Sequence, residues 1–247
     1  TVAQGRINLG LDIAGGTELV YKLQPREGQE LGGKQSNTIS ILKRRIDPSN
    51  VKEFRIQPVG ENRILIQVPR ATTEEVDRLK ERLTQMGRLE FKLAVPRGSG
   101  KEDFESMYQA AQQGKPVEGY KKMYEQGDTS KPFVLVETGE PQVTGESLSD
   151  VYPTRDQYGR PADGFEFNAV GARKFAQVTE KHRGWLLAII LDGTLQSAPS
   201  IRERIAGRGQ ITGDFSRDDV NEMVTILQAG SLPVDVNLLR ESTVGPK

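Results

Sequence analysis

The chain has 247 residues, and its 34 basic side chains balance 34 acidic ones, so no net field gathers nucleic acid or an anionic surface. Cysteine is absent, which excludes disulfides and thiolate metal sites, and the single histidine, His182, excludes a cluster of imidazole ligands. The most apolar run, Trp185 to Leu191, is far shorter than the roughly 20 residues a membrane helix needs, so the chain reads as a soluble piece, whole or a loop cut from a membrane protein.

Ile7, Leu9, Leu11 and Ile13 alternate with Asn8, Gly10 and Asp12, the period of a half-buried strand. Ile39, Leu42 and Ile46 then fall at helical spacing, with Ser36 or Asn37 as the expected cap. Phe54 and Ile56 mark a second strand, "VGEN" a turn, and Ile64, Ile66 and Val68 a third strand. Thr72 and Glu75 form a capping box before a helix striped with Val76, Leu79, Leu83 and Met86 and stopped by Gly87. Leu89, Phe91, Leu93 and Val95 alternate through a fourth strand. The order β-α-β-β-α-β predicts an α+β, ferredoxin-like base: an antiparallel sheet with both helices on one face.

Pro96 begins a stretch of glycine and charge. Beyond it a helix carries Phe104, Met107, Tyr108 and Ala111, and "PVEGYKKMYEQ" reads as a second helix. "PFVLVE" reads as a strand, residues 139–163 mostly as loop, and "GFEFN" as strand, after which Asn168 caps a helix running to about Arg183. "WLLAIILDGTLQSAP" is a hairpin turned by Asp192 and Gly193. "GQIT" is a short strand, and Ser216 with Asp219 caps a last helix bearing Val220, Met223, Val224 and Leu227, stopped by Gly230. Val234, Val236 and Leu238 alternate once more. Returned to the first sheet, that strand makes residues 1–95 plus 232–247 a base and residues 96–231 an inserted head.

Several motifs invite a catalytic reading. "DIAGGT", from Asp12 to Thr17, resembles the phosphate loop of sugar kinases, but two residues separate Asp12 from Gly15 where that cradle needs one, which moves the threonine to the other side of a strand. A bulge or turn is the simpler reading of Gly15 and Gly16, and a hairpin explains "DGT" at Asp192 to Thr194. His182, beside Lys181 and Arg183, reads as a cation at a helix C-terminus. The carboxylate pairs Glu74/Glu75, Glu102/Asp103 and Asp218/Asp219 each open a predicted helix, where the macrodipole favours them. "KRR", Lys43 to Arg45, reads as a solvated helix face. Strand edges in the head are either open to another chain or blunted.

Taken in order, "INLGLDIAGGTELV", "VTGESLSDV", "GARKF", "LAIILDGTLQSAPSIRERI", "GQITGDFSRDDVNEMVTILQAGSLPVDV" and "ESTVGP" resemble the first large extracytoplasmic domain of the SecD family, membrane subunits of the Sec protein-export machinery. Only residues from about 97 to 140 carry no matching motif. The resemblance implies a base beside the inner membrane on its periplasmic face and a head that swings on it. It implies that the head holds unfolded preprotein, with SecF and the SecYEG channel as partners and with the proton-motive force acting through membrane segments outside this chain. No enzyme activity, catalytic residue, metal or cofactor is expected. The hinge is expected in two connectors, Val95, Pro96, Arg97 and Gly98 on one side and Gly230, Ser231, Leu232 and Pro233 on the other. Two other classes stay open: a rigid scaffold docking the channel without touching substrate, and an ATP-dependent kinase.

Overall fold

A computed structural model of the chain describes residues 15–26, 30–47, 54–98 and 102–244. The elements run β1 (Gly16–Gln24), α1 (Lys34–Ile46), β2 (Arg55–Val59), β3 (Arg63–Pro69), α2 (Thr73–Thr84), β4 (Leu89–Ala94) and α3 (Glu102–Gln112). They continue with β5 (Tyr120–Met123), β6 (Val134–Glu137), β7 (Val143–Thr144), a 3-10 turn (Gly145–Ser147), β8 (Leu148–Arg155) and β9 (Pro161–Phe167). The last are α4 (Ala169–Lys181), β10 (Leu186–Leu191), β11 (Thr194–Ser197), β12 (Arg208–Ile211), α5 (Arg217–Ala229) and β13 (Asp235–Val244). The chain divides into two compact units, residues 1–86 with 232–247, and residues 87–231.

The first unit is built on a four-stranded antiparallel sheet in the order β13-β1-β3-β2. Leu19, Tyr21 and Leu23 alternate inward on β1, as Ile64 and Ile66 do on β3, and Val76, Leu79 and Leu83 form the buried stripe of α2. The capping box is present: Thr72 and Glu75 each accept the other's backbone amide, at 3.3 and 2.9 Å respectively. α1 starts earlier than Ser36 or Asn37 would have it. Its cap is Gly33, whose φ of 72° leaves no side chain to do the capping. The expected strand from Ile7 to Ile13 lies outside the described residues; β1 begins at Gly16, after a turn at Gly15 with φ 68°.

The fourth strand corrects the sequence reading. Leu89 to Ala94 does not join β1; β13 does, pairing from Gly16 opposite Val244 to Gln24 opposite Asp235 with one bulge between Val20 and Tyr21. β4 lies instead between β10 and β6 in the sheet β11-β10-β4-β6-β5 of the second unit, with β7 also paired to it. Alternation identifies a strand and which face it buries, but not the partner, and both candidate partners are distant in sequence.

Two further corrections fall in the second unit. "PVEGYKKMYEQ" is not helical: Gly119 takes φ 78° and Tyr120 to Met123 pair with Val134 to Glu137. Residues 139–163, expected as loop, contain β7, β8 and the start of β9, and the three-stranded sheet β12-β9-β8 stands on them. Its inner face joins β4, β10, α4 and α5 in a core where Phe91, Phe165, Phe167 and Phe175 meet at centroid distances of 5.0 to 6.3 Å. Asn168 caps α4 through the amides of Val170 and Gly171, and Ser216 with Asp219 caps α5, both at the expected positions.

Candidate functional site

Among the described residues the catalytic motifs take structural roles; Asp12 to Ala14 of the "DIAGGT" stretch lie outside them. Thr17 is a buried residue of β1, its hydroxyl 3.4 Å from that of Thr243 across the sheet, so it belongs to a strand pair rather than a loop. Asp192 and Gly193 turn the β10–β11 hairpin with φ of 50° and 80°. The Asp192 carboxylate accepts the amides of Gly87 at 3.1 Å and Arg88 at 2.7 Å, which fixes the entry to β4. His182 is the C-cap of α4, with Nδ1 2.9 Å from the Val178 carbonyl. Glu74/Glu75, Glu102/Asp103 and Asp218/Asp219 all stand in first turns. Among the described residues, no group of three or more His, Asp or Glu side chains could hold a metal ion.

"KRR" is not a uniformly solvated face. Lys43 and Arg44 are exposed, but Arg45 is 0% exposed. Its guanidinium donates to the carbonyls of Arg82 (3.3 Å), Gln85 and Met86 (3.0 Å), the orphan acceptors at the end of α2. The basic residue thus ties one helix to the end of the other.

The two expected hinge connectors differ in placement. Val95 is fully buried within the second unit; its amide donates to Leu135 at 2.9 Å and its carbonyl accepts the Tyr108 hydroxyl at 2.7 Å. Arg97 stacks over Tyr108 and Phe133 at 4.6 and 4.9 Å, with Pro96 before it and Gly98 after, whose amide donates to Glu105. The chain instead passes between units at Met86–Gly87. The second passage, Ser231–Leu232, lies inside the other connector, where Gly230 ends α5 at φ 93° and precedes Pro233 by three residues. In the first unit the Leu232 amide donates to the Met86 carbonyl at 2.8 Å, so the outgoing and returning segments are bonded side by side.

Two strand edges of the second unit, those of β11 and β8, are blunted. Glu125 bridges Leu195 in parallel, with the Gln126 amide 2.7 Å from the Leu195 carbonyl, which covers β11. β8 carries Pro153, a bulge between Leu148 and Asp150, and the Gln228 amide group on its Val151 carbonyl at 2.7 Å. A cleft of about 460 Å³ lies between β8–β9 and the start of α5, lined by Pro153, Thr154, Arg155, Pro161, Arg217, Val220 and Asn221. Beside it, on β9, Asp163 is 0% exposed and neither carboxylate oxygen has a partner among the described residues. Burial pushes its pKa up from the ordinary carboxylate value to about 7. The sequence reading missed Asp163 because it stood in an assumed loop. The signal was present: Pro161, Asp163, Phe165 and Phe167 share one period-two face.

Comparison with known proteins sets this architecture in a class. Residues 35–95 match the family model of the N-terminal P1 domain of protein translocase subunit SecDF, and residues 121–234 match the SecDF P1 head subdomain. The first match runs through β4, a strand whose pairing belongs to the second unit. The chain is thus of the class of translocase P1 domains. It belongs to the SecD/SecDF family of protein translocase subunits.

Protein translocase subunit SecD of Magnetococcus marinus is 35% identical over 215 residues, 84% of this chain and 39% of that protein. Protein translocase subunit SecDF of Thermus thermophilus is 32% identical over 242 residues, 98% of this chain and 32% of that protein. A solved structure of SecDF, described as a membrane component that enhances protein export, superposes with a TM-score of 0.68 at 30% identity, covering 90% of this chain and 98% of that one. SecDF in a super-membrane-facing form gives 0.73 at 30% identity, over 100% of this chain and 32% of that one. The chain therefore spans well under half the length of these two curated relatives. No described helix is long and apolar enough to cross a membrane.

Proposed function

We propose that this chain is a mechanical binding module on the extracytoplasmic face of the inner membrane. In this reading the second unit holds unfolded preprotein as it emerges from the SecYEG channel, and swings relative to the first unit about the passages at Met86–Gly87 and Ser231–Leu232. SecF completes the membrane part that couples the movement to the proton-motive force. The observation that carries the reading is the β1–β13 register with the Leu232–Met86 hydrogen bond. It makes residues 87–231 an outgrowth joined by two adjacent segments, the connectivity a swinging part requires. Site-specific photo-crosslinking to a stalled export substrate tests it: crosslinks are expected from residues in 87–231, and crosslinks confined to the first unit would refute it.

The blunted edges of β8 and β11 favour a second reading, a rigid scaffold that docks the channel and never touches cargo. Because this chain has no cysteine, a pair introduced to lock one unit to the other meets no other thiol within it. A swinging module then stalls export, whereas a scaffold leaves it unchanged.

A further inference from the structure

Asp163 is a carboxylate in surroundings built for hydrocarbon. Its neighbours across the sheet are Pro153 on β8 and Ile211 on β12, and it shares its face of β9 with Phe165 and Phe167. The orientation is independently marked by two glycines. The Tyr152 ring covers Gly164 on the outer face, and the Phe165 ring covers Gly209 on the inner one. Over the inner face lies α5, whose Val220, Met223, Val224 and Leu227 join Val151, Phe165, Phe167 and Ile211 in one core. The cleft opens on the same face, since Pro153 and Pro161, opposite and two residues before Asp163, both line it.

Among the described residues, no charged group is committed to this carboxylate. On α5, Arg217, Asp218 and Asp219 are exposed, and Asp219 is engaged in the helix cap; Glu222 is half-buried and makes contacts of its own. On β8, Arg155 donates to the Gly159 carbonyl at 2.6 Å and Asp150 accepts the Val151 amide at 2.8 Å. Arg208 of β12 pairs with Glu166 of β9 at 3.1 Å on the opposite face, and Asp156 pairs with Arg160 at 2.8 Å beyond the end of β8. An ionised Asp163 in the closed packing would therefore be an isolated buried charge.

We propose that Asp163 is a proton-controlled latch: neutral, it lets α5 seat on the β12-β9-β8 sheet, and ionised, it lifts the first half of α5 from that sheet and widens the cleft. The raised pKa fits this geometry. The closed form binds the proton more tightly than the open one, so its advantage is complete below about pH 4 and is lost as pH rises through about 7. As regulation of a cargo site, the latch rests on the reading of the second unit as the cargo-holding part. As chemistry it stands alone.

Hydrogen exchange on the full 247-residue chain at pH 6 and pH 8, corrected for intrinsic rates, tests it. The Val220 to Met223 amides are expected to open about tenfold more often at pH 8, while α4 stays unchanged, and Asp163→Asn is expected to remove the difference. The carboxyl carbon of Asp163, followed by NMR in the unsubstituted protein, is expected to titrate near pH 7. A midpoint near 4, equal protection of α5 at both pH values, or a pH response surviving in Asp163→Asn would each overturn the latch. Absence of cargo crosslinks from residues 87–231 would instead overturn the cargo reading and leave the exchange result intact.

Discussion

Arg45, Tyr21 and Asp163 are three buried polar side chains with three different outcomes. Arg45 ends on carbonyls that α2 cannot satisfy itself, so Arg45→Met, which keeps much of the stem and removes the donors, is expected to cost about 3 kcal/mol in urea unfolding of the first unit. The buried Tyr21 hydroxyl has no partner among the described residues, and its pKa is held well above the ordinary value by burial first and the Glu241 charge second. Tyr21→Phe keeps the ring and removes only the uncompensated group, so stability should hold or rise by about 1 kcal/mol. Asp163 makes folding depend on pH. The native state retains a proton that the unfolded chain releases, so stability should fall as pH rises from about 4 to about 7, by at most about 1.4 kcal/mol per pH unit, and then level off. Asp163→Asn should flatten that slope and raise the urea midpoint at pH 8, with little change at pH 4. Sequence alone separates these cases poorly. Arg45 looks like its neighbours Lys43 and Arg44 until the end of α2 is known to lie against it.

Among the elements, those marked by local chemistry were legible. The Thr72–Glu75 and Ser216–Asp219 boxes, the Asn168 cap and the Asp192–Gly193 hairpin all stand where their residues predict, because each is decided within a few positions. β8 was not, since an edge strand interrupted by Pro153 and a bulge carries no alternation to read. Nor was β5, because Tyr120 and Met123 fall three apart, a helical spacing, and only pairing with β6 makes them a strand. The hairpin has one consequence outside itself. Asp192 holds the amides of Gly87 and Arg88, so Asp192→Ala should cost about 2 kcal/mol and raise hydrogen exchange at the start of β4 as well as in the turn. Loss of protection limited to Thr194 and its neighbours would show that the carboxylate contributes nothing at β4.

At the scale of the whole chain, the return of the last strand to the first sheet was legible, and the boundary of the insertion was not. Val234 and Val236 follow the "SLP" linker and share the alternating pattern of the early strands, and the strand they announce, β13, does pair with β1, although alternation alone does not choose a partner. Leu89, Phe91 and Leu93 share it too, and nothing in their spacing reveals that Leu186 to Leu191 will pair with them. The cleft and Asp163 were hidden for the same reason, since both depend on β8 and β9 forming a sheet under α5. The boundary at 86/87 makes a test: residues 87–231 expressed alone should fold and unfold in a single cooperative urea transition, whereas residues 96–231, which lack β4, should not.

The bond between Leu232 and Met86 also has a thermodynamic meaning. While the middle of the chain is disordered, drawing these two positions together closes a long loop at an entropic cost on the order of 4 kcal/mol. Once that middle has folded with its ends close together, most of the cost is gone, and β13 docks on β1 as if on a short connection. Each half therefore promotes the other's folding through connectivity alone, and a lesion anywhere between Gly87 and Ser231 should be felt in the β13-β1-β3-β2 sheet.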